Sequence, residues 1–239
     1  MTNVLYLYDL FINGLPLFYY GGKSLLDYSI GGTPLDNSIF HGVNRTNWTL
    51  MKSYTGLRPI TLTIVFSAPT LHAAKTARSR FNAAVHGKCE LYIPDDGFYY
   101  TAYCKDFGAE ELAGIGEKEA QIKSSYEFEG IRHGEPETVT VPGSGTVYCH
   151  STMPYTDARL TVTATSAAAS YTLGGAVFQN VAAGDVLCFD GINGAITKNG
   201  TNYAGSVQWV HFPALVPGEN VIQAAAEDNV IVEFSPAFI

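Results

Sequence analysis

The chain has 239 residues, enough for one large domain or two ordinary ones. Only 15% of the residues are charged, against roughly a quarter in an average soluble domain, while 15 Tyr and 13 Phe supply many aromatic side chains. The formal net charge of -8 lacks the basic excess that neutralises phosphates, which argues against nucleic-acid recognition. A sparsely charged, aromatic surface favours broad protein contacts, although a Thr- and Tyr-rich sandwich has the same composition.

The apolar N-terminal stretch, residues 4–20, contains Asp9 and Asn13 and precedes the first basic residue, Lys23. This pattern does not fit a secretory signal peptide, and no run of about 18 apolar residues predicts a membrane span. The cysteines are too few for a disulfide scaffold and lack zinc-site spacing, so they are predicted to be reduced. They are Cys89, Cys104, Cys149 and Cys188.

The first distinct element is a predicted helix over residues 69–86, because apolar residues recur there at intervals of three and four. Pro69 suits the first turn and Gly87 ends the pattern. The opposite face is basic and has no acidic residue between Thr70 and Lys88. Its members are His72, Lys75, Arg78 and Arg80.

Residues 89–104 predict a β-hairpin. A two-residue turn at Asp96-Gly97 would place Cys89 opposite Cys104 and Pro94 opposite Tyr99. Alternation puts one set of side chains in the core. The facing cysteines could be bridged geometrically, but an intracellular assembly site would keep them reduced. The predicted core set is Cys89, Leu91, Ile93, Tyr100, Ala102 and Cys104.

A polar, turn-rich segment at residues 132–137 marks a predicted boundary between a domain at 1–134 and a domain at 138–239. Short strands separated by turns dominate the second domain, which predicts a two-sheet sandwich or jelly roll. The expected strands are Thr138–Val141, Leu160–Thr165, Val186–Phe189, Val207–Phe212, Val221–Ala225 and Val230–Phe234, with turns at Asn193-Gly194 and Asn199-Gly200.

No motif for catalysis stands out. The six histidines are scattered without metal-ligand spacing, and Gly143-Ser144-Gly145 follows Pro142 in a turn rather than a nucleophile elbow. The acidic pairs Asp95-Asp96, Glu110-Glu111 and Glu117-Glu119 indicate turn or solvated loop charge, and a glycosidase pair across a cleft is the weaker alternative. We therefore expect no enzyme, no metal and no cofactor.

The C-terminal third carries the most specific pattern. Gly184-Asp185-Val186 to Asp190-Gly191 leads to Asn199-Gly200 and then to Trp209-Val210-His211-Phe212-Pro213-Ala214-Leu215-Val216-Pro217-Gly218-Glu219-Asn220. This run, with a final strand pair after it, resembles the distal tail protein (Dit) family of long-tailed, siphovirus-type bacteriophages or prophages. The matched motif residues are Asp190, Gly200, Phe212, Pro213, Leu215, Pro217, Gly218 and Asn220. The order of strand, helix and hairpin in the N-terminal half agrees with the family.

The resemblance implies a mainly β protein: an N-terminal β-barrel or sandwich domain with one helix, and a C-terminal galectin-like, jelly-roll sandwich. It further implies a homohexameric ring at the virion tail tip, assembled in the bacterial host cytoplasm, between the tail tube protein and a tail-associated lysis or adhesion protein. Receptor-binding proteins are further expected partners, DNA passes only as cargo, and no membrane contact is implied. Related contractile or secretion devices are a further setting for such a component.

A closed ring needs two different, complementary patches on each copy. We therefore expect contacts between the basic helix face, Lys75, Arg78 and Arg80, and the acidic residues Glu110, Glu111, Glu117 and Glu119 of a neighbouring subunit. Two unrelated solvated faces are an equal alternative, because exposed pairs contribute only about 0–1 kcal/mol.

The alternative function is host-surface attachment through a galectin-like carbohydrate site at Trp209. The second domain contains only Arg159 as an arginine, so the polar residues of a galectin-type site are missing. Trp209 and Phe212-Pro213 are accordingly predicted to be core and turn.

Overall fold

The structure, a computed structural model, describes residues 10–41, 48–116, 119–225 and 227–239. The predicted mainly β fold with one α-helix is confirmed, and within these residues the strands form open sheets rather than a closed barrel. The chain divides into two compact units, residues 1–133 with Ile239 and residues 134–238.

The first unit contains one large antiparallel sheet. The elements of the unit, in chain order, are β1 (Phe11–Ile12), β2 (Leu15–Pro16), β3 (Gly22–Ile30), β4 (Leu35–His41), β5 (Trp48–Thr55), β6 (Arg58–Ala68), α1 (Leu71–Ala84), β7 (Lys88–Ile93), β8 (Phe98–Asp106), β9 (Glu110–Ile115) and β10 (Ala120–His133). The sheet has the strand order β2-β1-β7-β8-β10-β6-β3, and β9 also pairs with β10.

Helix α1 covers the apolar face of this sheet. Successive side chains of a strand point to opposite faces, so Phe66 of β6 and Tyr126 and Phe128 of β10 are buried on one side. The ring centroid of Phe81 in α1 lies 4.8 Å from that of Tyr126 and 5.6 Å from that of Phe66. The helical periodicity seen in the sequence therefore corresponds to a face packed on the sheet.

The predicted helix is confirmed, with bounds two residues inside those expected at each end. Thr70 is the N-cap, and its hydroxyl accepts a hydrogen bond from the amide of Ala73 at 3.2 Å. Pro69 thus precedes the cap instead of occupying the first turn. Capping by Thr70 satisfies one of the free amides at the helix start.

The hairpin of β7 and β8 has a different register from the one predicted. Ile93 pairs with Phe98 and Cys89 with Ala102, so four residues, 94–97, form the loop and Pro94 lies in it. The Ile93 carbonyl accepts from the amides of Asp96 and Gly97 at 3.1 and 3.0 Å. A shift of two residues preserves the face of every side chain, so the predicted core set was right for all but half-buried Cys104. The expected position of Cys89 directly opposite Cys104 in the hairpin was wrong, since Cys89 faces Ala102, while both thiols are free, as expected.

Strands β4 and β5 form a two-stranded hairpin, which among the described residues pairs only with itself. We call it the hairpin arm. It continues the β3–β6 ribbon outward, since Gly31 donates to Pro59 and Gly56 donates to Pro34 beyond the last sheet pair, Ile30 with Ile60.

The second unit contains three sheets, and its last strand, Ala237–Phe238, lies outside them. Its strands are β11 (Glu137–Pro142), β12 (Gly145–Cys149), β13 (Thr156–Thr163), β14 (Ala168–Leu173), β15 (Ala176–Val181), β16 (Val186–Asp190), β17 (Ala195–Lys198), β18 (Thr201–Asn202), β19 (Val207–Gln208), β20 (Ala214–Leu215), β21 (Gly218–Ile222), β22 (Asn229–Phe234) and β23 (Ala237–Phe238). The largest sheet has the order β11-β22-β13-β16-β17-β18 with β20 beside β13, while β12 pairs with β21 and β15 lies between β14 and β19.

Side chains from all three sheets share one core, in which Leu160 and Phe189 of the largest sheet meet Val147 of β12 and Phe178 of β15. This is the layered arrangement that the alternating strands predict. The expected strand at Val207–Phe212 was too long. After Gln208 the chain leaves the sheet, and the rings of Trp209 and Phe212 pack on Phe189.

Candidate assembly surfaces

The basic face of α1 and the acidic strand β9 meet within one chain. Lys75 Nζ lies 2.7 Å from a Glu110 carboxylate oxygen, and Arg78 Nη1 lies 3.7 Å from the other. Arg78 also donates from Nε to Ser124 Oγ at 2.7 Å and from Nη2 to the carbonyls of Phe107 and Gly108 at 3.2 and 2.9 Å. Arg78 is therefore a structural clamp between α1 and the loop before β9.

The remaining predicted contact residues are dispersed. Glu119 binds Lys23 at 2.7 Å and accepts from Ser67, and these hydrogen bonds lower the pKa of Glu119 to about 2. Glu111 lies 3.9 Å from Lys123. Arg80 is exposed and forms no ion pair with described residues, whereas Glu117 lies outside them. The contact between these groups across neighbouring subunits remains a prediction, with several of them already paired internally.

The family-motif residues stabilise turns in the second unit. Asn220 Oδ1 accepts from the Val216 amide at 2.8 Å, and Asn220 Nδ2 donates to the carbonyls of Val216 and Gly218 at 2.8 and 3.0 Å. Gly218 has a φ of 94°, which favours glycine, while exposed Pro217 precedes it. These hydrogen bonds of the Asn220 side-chain amide fix the turn at the start of β21.

The other motif residues are structural as well. Asp190 accepts from Arg159 Nε at 2.9 Å and from the Asn193 amide at 3.0 Å, which holds the loop at residues 191–194. Buried Pro213 accepts from the Ala158 amide at 3.0 Å, and Leu215 is in the core. Gly200, with a φ of 75°, and Asn199, at 52°, form the predicted two-residue turn between β17 and β18.

The Trp209 region differs from a buried core. The Trp209 side chain is 40% exposed, and its ring centroid lies 4.6 Å from that of Phe212. Arg159 is occupied by Asp190 and, at 3.4 Å, by Glu233. Arg159 is thus engaged within the second unit, and carbohydrate binding at Trp209 stays a prediction that glycan-array binding measures.

The described residues do not bring catalytic groups together. They contain no cluster of three or more His, Cys, Asp or Glu that could hold a metal ion. Burial raises the pKa of Cys89 to about 11 and that of Cys104 to about 12, which disfavours nucleophilic thiolates. An open groove of about 380 Å³ in the second unit has Glu227 as its one carboxylate. Its other lining residues are Thr140, Thr161, Val162, Thr163, Thr165, Asn229 and Ile231.

The most unusual surface, which sequence reasoning missed, is on the hairpin arm. Phe40 and Met51 are each 62% exposed, and Ile39 pairs directly with Leu50. A two-stranded hairpin alone is marginally stable in water, so such an arm is expected to gain a covering partner. The apolar residues exposed on it are Leu35, Ile39, Phe40, Leu50, Met51 and Tyr54.

The arm has no clear alternation in the sequence because its apolar residues lie on both faces. Met51 is the extra residue of a β-bulge, since Lys52 pairs with Ser38 but Leu50 pairs with Ile39. An excess of apolar residues over what one face can hold is the signal that would have indicated this surface.

No described helix has the length and apolar character to cross a membrane.

The fold is that of phage distal tail and baseplate proteins, as the sequence resemblance predicts. No protein-family model matches the chain, and no curated protein matches it. The likeness is to solved structures at low sequence identity, and it establishes the fold.

Among these structures is the Dit (gp 19.1) protein of phage SPP1, described as a paradigm of the hub adsorption apparatus in phages infecting Gram-positive bacteria. It is 13% identical, with 97% of this chain and 99% of that chain covered and a TM-score of 0.65. The phage p2 baseplate in its activated conformation with Sr is 8% identical, with 90% and 91% covered and a TM-score of 0.55.

Proposed function

We propose that this protein is a structural component of a phage tail tip, a distal tail protein whose copies form a ring. The observation that supports this proposal most directly is the exposed apolar surface of the hairpin arm on a chain with the Dit fold. A ring uses a heterologous contact, so the arm of one copy would lie against a different surface of the next copy.

The first unit offers candidate receiving surfaces. Phe18 and Tyr19, in the 3-10 helix Leu17–Tyr20, are 51% and 65% exposed, and Ile115 of β9 is 68% exposed. Burying large side chains of this kind contributes roughly 1.5–3 kcal/mol each, more than an exposed ion pair. Apolar packing is therefore the stronger driving force for assembly.

Six copies per ring, a position between the tail tube protein and a tail-associated lysis or adhesion protein, and anchoring of receptor-binding proteins complete the proposal. The protein would then be a virion component, assembled in the host cytoplasm, with DNA passing through the ring. A catalytic role is not part of it, in keeping with the named hub and baseplate structures.

The test is the mass of purified protein, measured by light scattering and mass photometry across a concentration series. We expect the wild type to form a ring, and the double substitution Phe40→Asp and Met51→Asp to give monomers with an unchanged circular dichroism spectrum. The matched control is Val210→Asp, which charges a 92%-exposed apolar side chain of the second unit.

The control should assemble like the wild type. A wild type that stays monomeric at every concentration contradicts ring formation, and a doubly charged arm that still assembles contradicts the assigned contact.

A further inference from the structure

Two apolar surfaces lie at opposite ends of strand β3. The 3-10 helix Leu17–Tyr20 precedes this strand and exposes Phe18 and Tyr19, while the hairpin arm follows it. Since β3 has 9 residues at about 3.3 Å each, the two surfaces are roughly 30 Å apart. The arm continues outward from the β3–β6 ribbon and so extends away from the 3-10 helix of its own chain. Two different surfaces at opposite ends of each copy suit a head-to-tail contact between copies.

The hairpin arm has two faces of different chemistry. Asp36 lies opposite Tyr54 and Phe40 lies opposite Thr49, and alternation puts these side chains on one face. We call this the aromatic face, and it also carries the pair of Ser38 and Lys52. The other, aliphatic face has no Asp, Glu, Lys or Arg among the described residues. Its members are Leu35, Asn37, Ile39, Leu50, Ser53 and Thr55.

The two charged residues on the aromatic face differ in their contacts. The Lys52 ammonium lies over the Tyr54 ring, 5.9 Å from its centroid. Asp36 is exposed and forms no ion pair with the described residues. Both oxygens of this carboxylate can therefore accept hydrogen bonds from a cation of another molecule.

The surface around the 3-10 helix has the complementary charge. Gly21, directly after this helix, lies so close to Ala77 of α1 that an added Cβ would be 2.5 Å from the Ala77 Cβ. Arg80 is three residues further along α1 and is therefore a neighbour of Ala77 on the helix surface. Arg80 is exposed and forms no ion pair with the described residues. Exposed aromatic rings and a cation thus occur together beside the start of β3.

We propose that the aromatic face of the arm of one copy packs on Phe18 and Tyr19 of the next copy, with Asp36 paired to Arg80. This contact presupposes the proposed ring and specifies the surface that receives the arm. No charged residue occurs from Leu10 to Gly22, so like charges do not oppose the contact there. Packing of the rings supplies most of the affinity, whereas the ion pair fixes the orientation of the arm.

Charge reversal tests the ion pair. Asp36→Arg and Arg80→Asp each bring like charges together and should raise the concentration at half-assembly about fivefold, measured by mass photometry and light scattering. Combined in one chain, the two substitutions restore opposite charges and should return this concentration close to the wild-type value. Glu219→Arg, at an exposed carboxylate of the second unit, is the control and should leave it unchanged.

The outcomes separate this contact from the ring itself. A wild type that never assembles contradicts the ring and, with it, the contact. A ring that responds to Asp36→Arg and Arg80→Asp no more than to Glu219→Arg leaves the proposed function standing and overturns the contact. Weakening in both single variants without recovery in the double variant also overturns the pairing of Asp36 with Arg80.

Cross-linking tests which face of the arm is in contact. Ser38→Cys lies on the aromatic face, and Asn37→Cys lies on the aliphatic face of the same strand. Chains with Ser38→Cys, co-expressed with Tyr19→Cys chains and treated with a short bismaleimide, should give covalent dimers that neither variant gives alone. Chains with Asn37→Cys, treated in the same way, should give far fewer. Equal yields from the two arm positions in assembled protein, including no dimers from either, overturn the assigned face.

Discussion

At the scale of single residues, carboxylates hold the loops of the second unit. Asp185 accepts from the Ala182 amide and from Asn199 Nδ2, both at 2.8 Å, and pairs with Lys198 at 2.9 Å. These partners, the Ala182 amide first, lower the pKa of Asp185 to about 2 from an ordinary value of 3.8. The Asp185 side chain thereby joins its own turn, at Ala182, to the end of β17 at Lys198 and to the turn residue Asn199.

This shift predicts a pH dependence. Because the folded pKa is below the unfolded one, ionised Asp185 stabilises the fold above about pH 4, and the contribution is lost as the pH falls from about 4 to about 2. We expect Asp185→Asn to lower the urea midpoint at pH 6, with the difference from wild type disappearing near pH 2. Glu135→Gln, at an exposed carboxylate, is the control. A constant difference across this range contradicts the assignment.

A second prediction concerns buried Asp228, which accepts from the Tyr171 hydroxyl at 2.6 Å and from the Thr165 amide at 2.9 Å. Asp228→Ala leaves both donors without a partner and should lower the free energy of unfolding by about 2–4 kcal/mol. Tyr171→Phe removes one hydroxyl and should cost about 1 kcal/mol. Equal losses in urea unfolding would show that Asp228 acts through the Tyr171 hydrogen bond alone, and would contradict a contribution from its bond to the Thr165 amide.

At the scale of elements, the β7–β8 hairpin shows what alternation can specify. Alternation with a period of two residues assigns each side chain to one face of the hairpin. Registers that differ by two residues keep that assignment, so the conformation of the loop decides which register forms. Asp96-Gly97 permits a two-residue turn, but Gly97, with a φ of 74°, instead ends a four-residue loop. The helix was easier to predict, because its stripe and the Thr70 region are local in sequence.

The loop geometry predicts a cost at Gly97. An alanine there meets no atom within 4 Å but must adopt a left-handed backbone, so Gly97→Ala should lower the free energy of unfolding by roughly 1–2 kcal/mol. Gly87→Ala is the matched control, because an alanine there also meets no atom within 4 Å but does not need a left-handed backbone. Indistinguishable chemical-denaturation curves for the two variants contradict this reason.

At the scale of the whole molecule, the mainly β fold with one helix could be predicted, since it depends on local patterns. The residues around Asn220 were singled out by the family resemblance and not as a turn. The pairing of Lys75 and Arg78 with Glu110 could not be predicted, because it brings together residues about 30 positions apart. Sequence charge alone left open whether those groups meet within a chain or between chains. The hairpin arm was missed because exposed and buried apolar residues look alike in a sequence.

Assembly through apolar packing of the hairpin arm and assembly through ion pairs differ in their response to salt. Raising the ionic strength from about 0.1 M to about 1 M shortens the screening length from roughly 10 Å to 3 Å, while apolar packing persists. We expect assembled protein to keep its mass by light scattering at the higher salt. Dissociation would instead favour contacts between Arg80 and the acidic residues of a neighbouring subunit.

The four free thiols have a practical consequence for such experiments. Cys89 and Cys149 are buried, and burial is the leading cause that raises the pKa of Cys89, Cys104 and Cys188. Maleimide dyes react with thiolates, so the natural protein should label slowly at neutral pH. The substitution Ser38→Cys at an exposed position of the arm would then give a selective fluorophore site, with no native cysteine removed.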